Sequence, residues 1–347
     1  MADLLELDHV TIRFGGLTAV DNVSLNIPPN VVHSVIGPNG AGKTTLFNAI
    51  TGVYAPTEGT VRFEGRFTGL PFRLRTAIGF LGVGLFTAVF VLLAFNIQSL
   101  WDRVIIANYI YQQPFHWLKA FANGADSITT LSFLDGILPL LLGFTLGAGG
   151  AYALWSGWRL TPDKVAKRGI SRTFQNIRLF QNMSVLDNVL VGMCGQLKTH
   201  FIDAACRLPR YHREHGAAVE KAIELLDFVG LKQFVFERAA ALSYGDQRRL
   251  EIARALASCP KLLLLDEPAA GMNPTESAEL VALIGRIRDR GITVLLIEHH
   301  MDVVMEISNQ ITVLDYGEKI AEGAPAVVRA DPRVIEAYLG AEEVVPL

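Results

Sequence analysis

The sequence is poor in cysteine and has no cysteine pair at the spacing of a metal site. Its 347 residues include three cysteines, Cys194, Cys206 and Cys259, which are widely separated. A disulfide framework needs paired cysteines and a zinc site needs closely spaced ligands, so we expect neither and infer a reducing compartment. The opening residues, Met1 to Glu6, carry no basic region and no apolar run. We therefore expect no secretory signal.

The sequence also lacks an excess of basic charge. Its 31 lysine and arginine residues are outnumbered by 34 aspartate and glutamate residues, which gives a formal net charge of -3. Domains that bind nucleic acid carry a basic patch or stripe, so we expect no nucleic-acid partner. The sequence has no internal repeat and no low-complexity tract, and its length suits one large domain or two ordinary ones.

Charge is absent from two long apolar stretches, Thr76 to Trp101 and Gly136 to Trp158. Residues 77–97 and 137–158 are each long enough to cross a bilayer as a helix. Seven basic residues lie near the outer ends of these stretches, and only Arg103 and Lys119 lie between them: the seven are Arg66, Arg73, Arg75, Arg159, Lys164, Lys167 and Arg168. The positive-inside rule then predicts a transmembrane hairpin with both ends in the cytoplasm. The alternative is a pair of buried core helices, because Pro139 and four glycines weaken the second stretch.

A glycine-rich loop stands between an apolar, β-branched run and a helix-like run. Its residues fit the phosphate-binding pattern G-x-x-x-x-G-K-[ST]: Gly37, Pro38, Asn39, Gly40, Ala41, Gly42, Lys43, Thr44 and Thr45. Such a loop turns its backbone N–H groups towards phosphate oxygens, and the helix that follows adds its positive dipole end. Lys43 would supply a charge to the β- and γ-phosphates, and Thr44 a hydroxyl ligand for Mg²⁺. The pattern predicts a nucleotide site.

Two adjacent carboxylates end a second apolar run, Leu262 to Leu265, which suits a strand buried on both faces. Asp266 would hold Mg²⁺ directly or through water, and Glu267 would polarise the water that attacks the γ-phosphate. Two acids at the end of a strand are common at ordinary turns. They indicate this chemistry here because the phosphate loop lies upstream.

The remaining patterns predict an α/β fold. Leu5 to Ile27 alternates apolar and polar residues around a turn at Gly15 and Gly16, as antiparallel strands do. After Pro162, short buried strands alternate with helices such as Ala217 to Val229, which predicts a largely parallel sheet. A further helix begins after Ser243, and its exposed N–H groups suit either an anion or a routine cap.

Taken together, these motifs resemble those of the ATP-binding subunit of ABC transporters. The phosphate loop is followed in order by Gln175, the segment Leu242 to Gln247, Asp266 with Glu267, and His299. Finer matches resemble the branched-chain amino acid importers: Arg172 to Phe180, Arg249 to Ala257, Asp266 to Pro274, Leu296 to Met301 and Asp331 to Gly340.

The resemblance implies an ABC-type P-loop fold with a mixed sheet core, an antiparallel β subdomain and a helical signature subdomain. The two parts of that fold are residues 1–69 and 161–347, and the hydrophobic insert at 70–160 separates them. Joining Leu70 to Thr161 gives a sequence that reads like an uninterrupted family member. The signature has Tyr244 in place of a second glycine, which is usual for this subfamily. Asp246 replaces a commoner glutamine and His300 an expected aspartate, and we expect function to survive both.

The resemblance also implies roles for individual residues. Phe14, which as a lone aromatic is better explained as core, would stack on adenine. Gln175 would sense the γ-phosphate and ligate Mg²⁺, and His299 would hydrogen-bond the γ-phosphate. Residues of the signature would cap the γ-phosphate of the opposite subunit's ATP: Ser243, Gly245 and Gln247. Gly271 to Asn273 would touch that subunit.

The implied function is ATP hydrolysis that powers uptake of leucine, isoleucine and valine at the cytoplasmic face of the plasma membrane. The implied partners are a second ABC ATPase subunit, two permease subunits and, indirectly, a solute-binding protein. A heterologous ATPase pair is expected, and a homodimer stays open. Four alternatives also stay open: an ATPase of a urea or amide importer or of another amino acid importer, a soluble ABC ATPase, an exporter subunit, and a chimeric chain that cannot dock.

Overall fold

The computed structural model describes residues 3–69, 74–109, 116–118, 122, 136–158, 161–197, 203 and 209–339. Its contacts divide the chain into a main unit, residues 1–71 with 160–347, and a hairpin unit, residues 72–159. Several residues of the sequence predictions lie outside the described residues: Leu70, Arg73, Arg159, Leu160, Cys206 and Gly340. Cys194 and Cys259 are free and exposed.

Four strands of the main unit form an antiparallel sheet. They are β1 Leu5–Phe14, β2 Leu17–Ile27, β4 Glu58–Phe63 and β5 Arg66–Gly69, in the order β2-β1-β4-β5. Leu5 pairs with Ile27 and Phe14 with Leu17, which confirms the predicted pair of strands around the Gly15 turn.

Six strands form a second sheet in the main unit. They are β3 Val32–Ile36, β6 Ile170–Arg172, β7 Leu262–Asp266, β8 Thr293–Ile297, β9 Gln310–Asp315 and β10 Glu318–Gly323. The order is β10-β9-β3-β8-β7-β6, and every neighbouring pair is parallel except β9 with β10. The largely parallel sheet is thus confirmed. Because β3, β7 and β8 are adjacent and parallel, the residues that follow them meet at one edge of the sheet.

Helices complete the main unit. They are α1 Lys43–Ile50, α5 Pro162–Lys167, α6 Val185–Met193, α7 Pro209–Phe228, α8 Tyr244–Leu256, α9 Pro274–Asp289, α10 Met301–Ile307, α11 Pro325–Arg329 and α12 Pro332–Leu339. Short 3-10 turns lie at Lys232–Phe234 and Ala239–Ala241. Helix α7 begins eight residues before the predicted Ala217, because its first two turns are polar and carry no apolar periodicity. Apolar side chains of α6, α7 and α8 share one core cluster with strands β7 and β8.

The hairpin unit contains α2 Leu74–Phe95, α3 Ile97–Val104, a 3-10 turn at Ile106–Asn108, and α4 Leu138–Trp158. Contacts between α2 and α4 run in opposite directions, so the two helices are antiparallel: Gly84 faces Ala148, and Ala88 faces Gly143. Glycines allow this close approach, since a Cβ built on Gly147 would lie 1.7 Å from Thr87 Oγ1. The Thr87 hydroxyl donates across the pair to the Gly143 carbonyl at 2.8 Å.

Candidate nucleotide site

The phosphate loop joins the buried strand β3 to helix α1. Gly42 caps the helix in a left-handed conformation with φ +92°, and a Cβ there would lie 2.3 Å from the Ala19 carbonyl oxygen. Only glycine fits this position without a shift of the backbone. Thr44, the predicted Mg²⁺ ligand, is exposed in the first turn of α1.

Lys43 folds back onto the loop. Its Nζ donates to the Gly37 carbonyl at 2.7 Å and to the Pro38 carbonyl at 2.8 Å. Burial lowers the pKa of Lys43 below its ordinary value, and the charges of Glu267 and Asp266 act in the opposite direction. The ammonium group is therefore placed among the loop carbonyls and near both carboxylates.

A cavity of 870 Å³ opens beside this loop. Residues 37–41 form one part of its lining, and His299 and Tyr338 contribute side chains to the remainder. Strand β9 and the C-terminal helix α12 supply Asp315 and Arg333. The cavity is large enough to take a small ligand at the phosphate loop.

The Glu267 carboxylate lies between two polar side chains that are far apart in the sequence. Gln175 Nε2 donates to Glu267 Oε2 at 2.8 Å, and His299 Nε2 lies 2.9 Å from Glu267 Oε1. The backbone of Glu267 adopts φ +47°, a left-handed conformation that costs a non-glycine residue about 1–3 kcal/mol. The structure thus brings together the three residues that the sequence predicted to be catalytic.

Asp266, the last residue of β7, makes an ion pair that the sequence analysis did not foresee. Arg172 Nη2 donates to Asp266 Oδ2 at 2.7 Å, and Arg172 Nη1 donates to Asn48 Oδ1 at 2.6 Å. The side chains of Arg172 and Asp266 are 9% and 5% exposed. Arg172 is the first residue of the segment Arg172 to Phe180, which contains Gln175. Its place three residues before Gln175 was the one feature of the sequence that could have indicated a role at the site.

The donor set suits Mg²⁺ bound together with a nucleotide. Among the described residues, no three histidine, cysteine, aspartate or glutamate side chains cluster as a complete metal cage. Mg²⁺ commonly uses one or two carboxylates, with phosphate oxygens and water completing its shell. Asp266, the Thr44 hydroxyl and the Gln175 amide oxygen are hard oxygen donors of this type.

The segment Leu242 to Gln247 begins helix α8, as predicted. Ser243 is its N-cap, and its Oγ accepts from the Asp246 amide at 3.2 Å and donates to the Asp246 carboxylate at 2.8 Å. Gln247 Nε2 donates to the Leu242 carbonyl at 3.1 Å. Gly245 is buried, and a Cβ there would lie 2.9 Å from Glu276 Oε1. Asp246, one of the departures, thus reinforces the cap of this helix.

Phe14 lies at the end of β1 and is 44% exposed, so it is not a core residue. Its ring meets Tyr54 edge-on, with centroids 5.1 Å apart. Tyr54 was not singled out in the sequence. An exposed aromatic pair offers an apolar face to a planar base.

Glu298, next to His299, is a further residue that the sequence analysis missed. It is 1% exposed, and its carboxylate accepts from the Ala269 amide at 2.7 Å and the His299 amide at 3.1 Å. His300 Nδ1 lies 3.4 Å from the same carboxylate. Glu298 therefore ties the chain after Glu267 to the backbone of His299.

These features define a P-loop nucleotide-binding protein: a phosphate loop, an acidic pair on the neighbouring strand and a parallel sheet that brings them together. The ABC transporter family matches residues 20–79 and 138–270, and the branched-chain amino acid ATP-binding cassette transporter family matches residues 318–344. The chain therefore belongs to the ABC transporter family, and it is an ATP-binding cassette ATPase.

Two curated relatives are similar along nearly the whole chain. The high-affinity branched-chain amino acid transport ATP-binding protein BraF of Pseudomonas aeruginosa is 36% identical over 338 residues, covering 97% of this chain and 98% of its own. LivG of Escherichia coli, which has the same descriptive name, is 34% identical with the same coverage. Among solved structures, the ADP conformation of MJ1267, an ATP-binding cassette of an ABC transporter, has a TM-score of 0.64 at 25% identity. The match covers 98% of this chain and 100% of the MJ1267 chain.

Proposed function

We propose that this chain is the ATP-hydrolysing subunit of an importer of branched-chain amino acids. The observation that carries the proposal is the similarity to BraF and LivG, whose names assign them to branched-chain amino acid transport. The match of residues 318–344 to a C-terminal family of the same description supports it. The subunit would act at the cytoplasmic face of the plasma membrane.

The proposed chemistry follows from the contacts around Glu267. Lys43 and the amides of residues 37–45 would hold the phosphates, and Phe14 would stack on adenine. Glu267 would polarise the attacking water, with His299 hydrogen-bonded to the γ-phosphate. Asp266, Thr44 and Gln175 would hold Mg²⁺, which when bound neutralises charge on the β- and γ-phosphates.

The proposed assembly contains two ATPase subunits. Ser243, Gly245 and Gln247 of each would cap the ATP of the other, and the Gly271 to Asn273 loop would lie at the contact. Two permease subunits and, through them, a solute-binding protein would complete the importer. A cavity of 440 Å³ is lined in part by Phe174, Phe180 and Arg254, and Phe174 is the residue before Gln175. A permease that binds in this cavity would therefore contact the backbone next to Gln175.

We further propose that the hairpin unit is a transmembrane anchor with both ends on the cytoplasmic side. Arg75–Phe95 and Leu138–Ser156 are long and apolar enough to cross a membrane. Length and composition alone would equally suit core helices of a soluble domain, but such helices would be mostly buried, and 17% of each stretch is buried. The ABC transporter family matches residues 20–79 and 138–270, so the unmatched stretch, residues 80–137, is shorter than the predicted insert at 70–160, and helix α4 lies within the match.

ATP turnover tests the proposed site and the hairpin together. The full chain is compared with a version lacking residues 70–160, each with a Glu267→Gln control, and both are fractionated between membrane and supernatant. Turnover by both versions, with only the full chain in the membrane fraction, supports an anchored motor. Turnover by the shortened chain alone means that the hairpin obstructs the cassette, as in a chimera.

Uptake tests the solute. The chain is expressed with its permease and solute-binding partners in cells that lack their own branched-chain importer, and uptake of labelled leucine is compared with that of labelled urea. Leucine uptake that is lost with Glu267→Gln supports the proposal. Urea uptake without leucine uptake would assign the chain to the alternative importer.

A further inference from the structure

Two charged side chains of helix α8 are buried against the segment that carries Gln175. Arg248 is 0% exposed and Glu251 is 1% exposed, although long charged side chains seldom lie fully inside a protein. They are paired with each other, with Arg248 Nη1 donating to Glu251 Oε2 at 2.8 Å. Such a pair gains little stability over apolar residues of similar size, so its presence calls for a further reason.

Apart from a 3.5 Å contact of Arg248 Nη2 with the Tyr244 hydroxyl, the other hydrogen bonds of the pair go to the backbone around Gln175. Arg248 Nη1 donates to the Phe174 carbonyl at 2.7 Å, and Nη2 donates to the Gln175 carbonyl at 2.8 Å. Glu251 Oε1 lies 3.5 Å from the Phe174 amide and 3.4 Å from the Arg178 amide. Both charges are thus directed at one short stretch of main chain, residues 174–178, which we call the glutamine segment.

The glutamine segment is exposed and has no regular secondary structure of its own at Gln175. The Gln175 side chain nevertheless has to reach Glu267 Oε2, to which it donates at 2.8 Å. A guanidinium presents two parallel N–H groups at a fixed separation, which fixes the orientation as well as the distance of two successive carbonyls.

We propose that Arg248 and Glu251 are positioning residues for ATP hydrolysis: they hold the backbone of the glutamine segment so that Gln175 reaches Glu267. Arg248 and Glu251 lie about one and a half and two helical turns beyond Ser243, so they link the first turns of helix α8 to the glutamine segment. This inference rests on the proposed role of Gln175.

The test is a double-mutant cycle on the full chain. Arg248→Lys keeps the charge but replaces the planar fork by a single ammonium. We expect kcat for ATP to fall about tenfold, as is usual for a group that orients a ligating side chain. In a Gln175→Ala background, Arg248→Lys should cause no further fall, because the residue whose position it controls is gone. The Mg²⁺ concentration for half-maximal turnover should rise in Arg248→Lys alone, and a purely structural role would not move it.

Arg249→Lys is the matched control. The neighbouring Arg249 is paired with other partners: its Nη2 donates to Glu279 Oε2 at 2.7 Å and lies 3.7 Å from Asp246 Oδ1. Its kcat and Mg²⁺ dependence should stay at the wild-type values. An equal fall in kcat for Arg249→Lys, or an Arg248→Lys effect that is the same in both backgrounds, would overturn the inference.

Two further outcomes are distinguishable. If Gln175→Ala alone leaves kcat and the Mg²⁺ dependence unchanged while Glu267→Gln abolishes turnover, the inference fails although the proposed ATPase function stands. If Arg248→Lys does not fold, the pair is replaced by Arg248→Met with Glu251→Leu, which leaves no unpaired charge. The same cycle then decides the question.

Discussion

Arg172 holds Asp266 in a nearly buried ion pair, with 2.7 Å between Nη2 and Oδ2. Asp266 is also the residue that we expect to bind Mg²⁺, so the Arg172 guanidinium and the ion would bind the same carboxylate. A buried carboxylate that loses its partner destabilises the folded state by about 3–5 kcal/mol.

Arg172→Met should therefore lower the thermal stability of the nucleotide-free chain, and Mg²⁺ with ATP should restore more stability than in the wild type. The measurement is the unfolding temperature with and without Mg²⁺–ATP. Arg178→Met is the control, because Arg178 stacks on Phe174 in the same segment, 4.4 Å from the ring centroid. A loss of stability that Mg²⁺–ATP leaves unchanged would mean that Asp266 does not bind the ion.

Glu267→Gln should separate binding from hydrolysis. An amide keeps the size of the side chain, but only its oxygen accepts, so it keeps one of the two contacts with Gln175 and His299 and cannot act as a base. Turnover should fall by a factor of about 10²–10⁴, while the affinity for ATP changes little. The measurements are steady-state hydrolysis and equilibrium binding of a fluorescent ATP analogue. Glu279→Gln, an exposed carboxylate on α9, should leave both at the wild-type level.

His33 predicts a dependence of stability on pH. It is 0% exposed, its Nε2 lies 2.8 Å from Thr312 Oγ1, and burial together with the charge of Lys319 lowers its pKa from 6.5 to about 4. Between these values the unfolded chain binds a proton that the folded chain does not. The contribution is therefore present above pH 6.5 and is lost as the pH falls towards about 4. The loss at the acidic end is about 3 kcal/mol.

The check is thermal unfolding of wild type and His33→Gln across this pH range. The wild type should lose stability more steeply, because glutamine can bond Thr312 without titrating. Parallel curves for the two proteins would contradict the assignment to His33.

Gly147→Leu should disrupt the hairpin. Its Cβ would lie 1.7 Å from Thr87 Oγ1, and overpacking of this kind costs about 1–3 kcal/mol. Gly150→Leu is the control on the same helix, since a Cβ there meets nothing within 4 Å. Cysteines placed at Phe80 and Tyr152, whose ring centroids lie 6.3 Å apart across the two helices, should be joined by a short thiol cross-linker in the Gly150→Leu protein but not in Gly147→Leu. Equal cross-linking in both would show that α2 and α4 do not pack through Gly147.

The sequence predicted the sheet, and the position of the acidic pair at the end of a buried strand, because both depend on local patterns. Apolar runs such as Leu262 to Leu265 are buried strands, and a loop rich in glycine at the end of a strand has few other uses. The burial of the Arg248–Glu251 pair could not be predicted from local sequence patterns. At a spacing of three residues on a helix it looks like an ordinary exposed ion pair, and its burial depends on the packing of residues 174–178 more than seventy positions away.

The same limit applies to Arg172, Glu298 and Tyr54. Each contacts a residue from a distant part of the chain, and no local sequence pattern identifies that contact partner. The left-handed backbone of Glu267 was equally hidden, because local sequence favours glycine or asparagine there, and the surrounding fold imposes the conformation.

The position of β3 in the sheet has a consequence for synthesis. Its neighbours are β8 and β9, and Val32 pairs with Val294 and His33 with Gln310. A ribosome therefore releases the first strands and the whole apolar hairpin before any strand that can complete the sheet around β3 has been made. Because such distant pairings form slowly, the phosphate loop stays unsupported while the hairpin is already outside the ribosome. The nascent chain consequently offers its most apolar helices to a membrane or a chaperone before it has a nucleotide site.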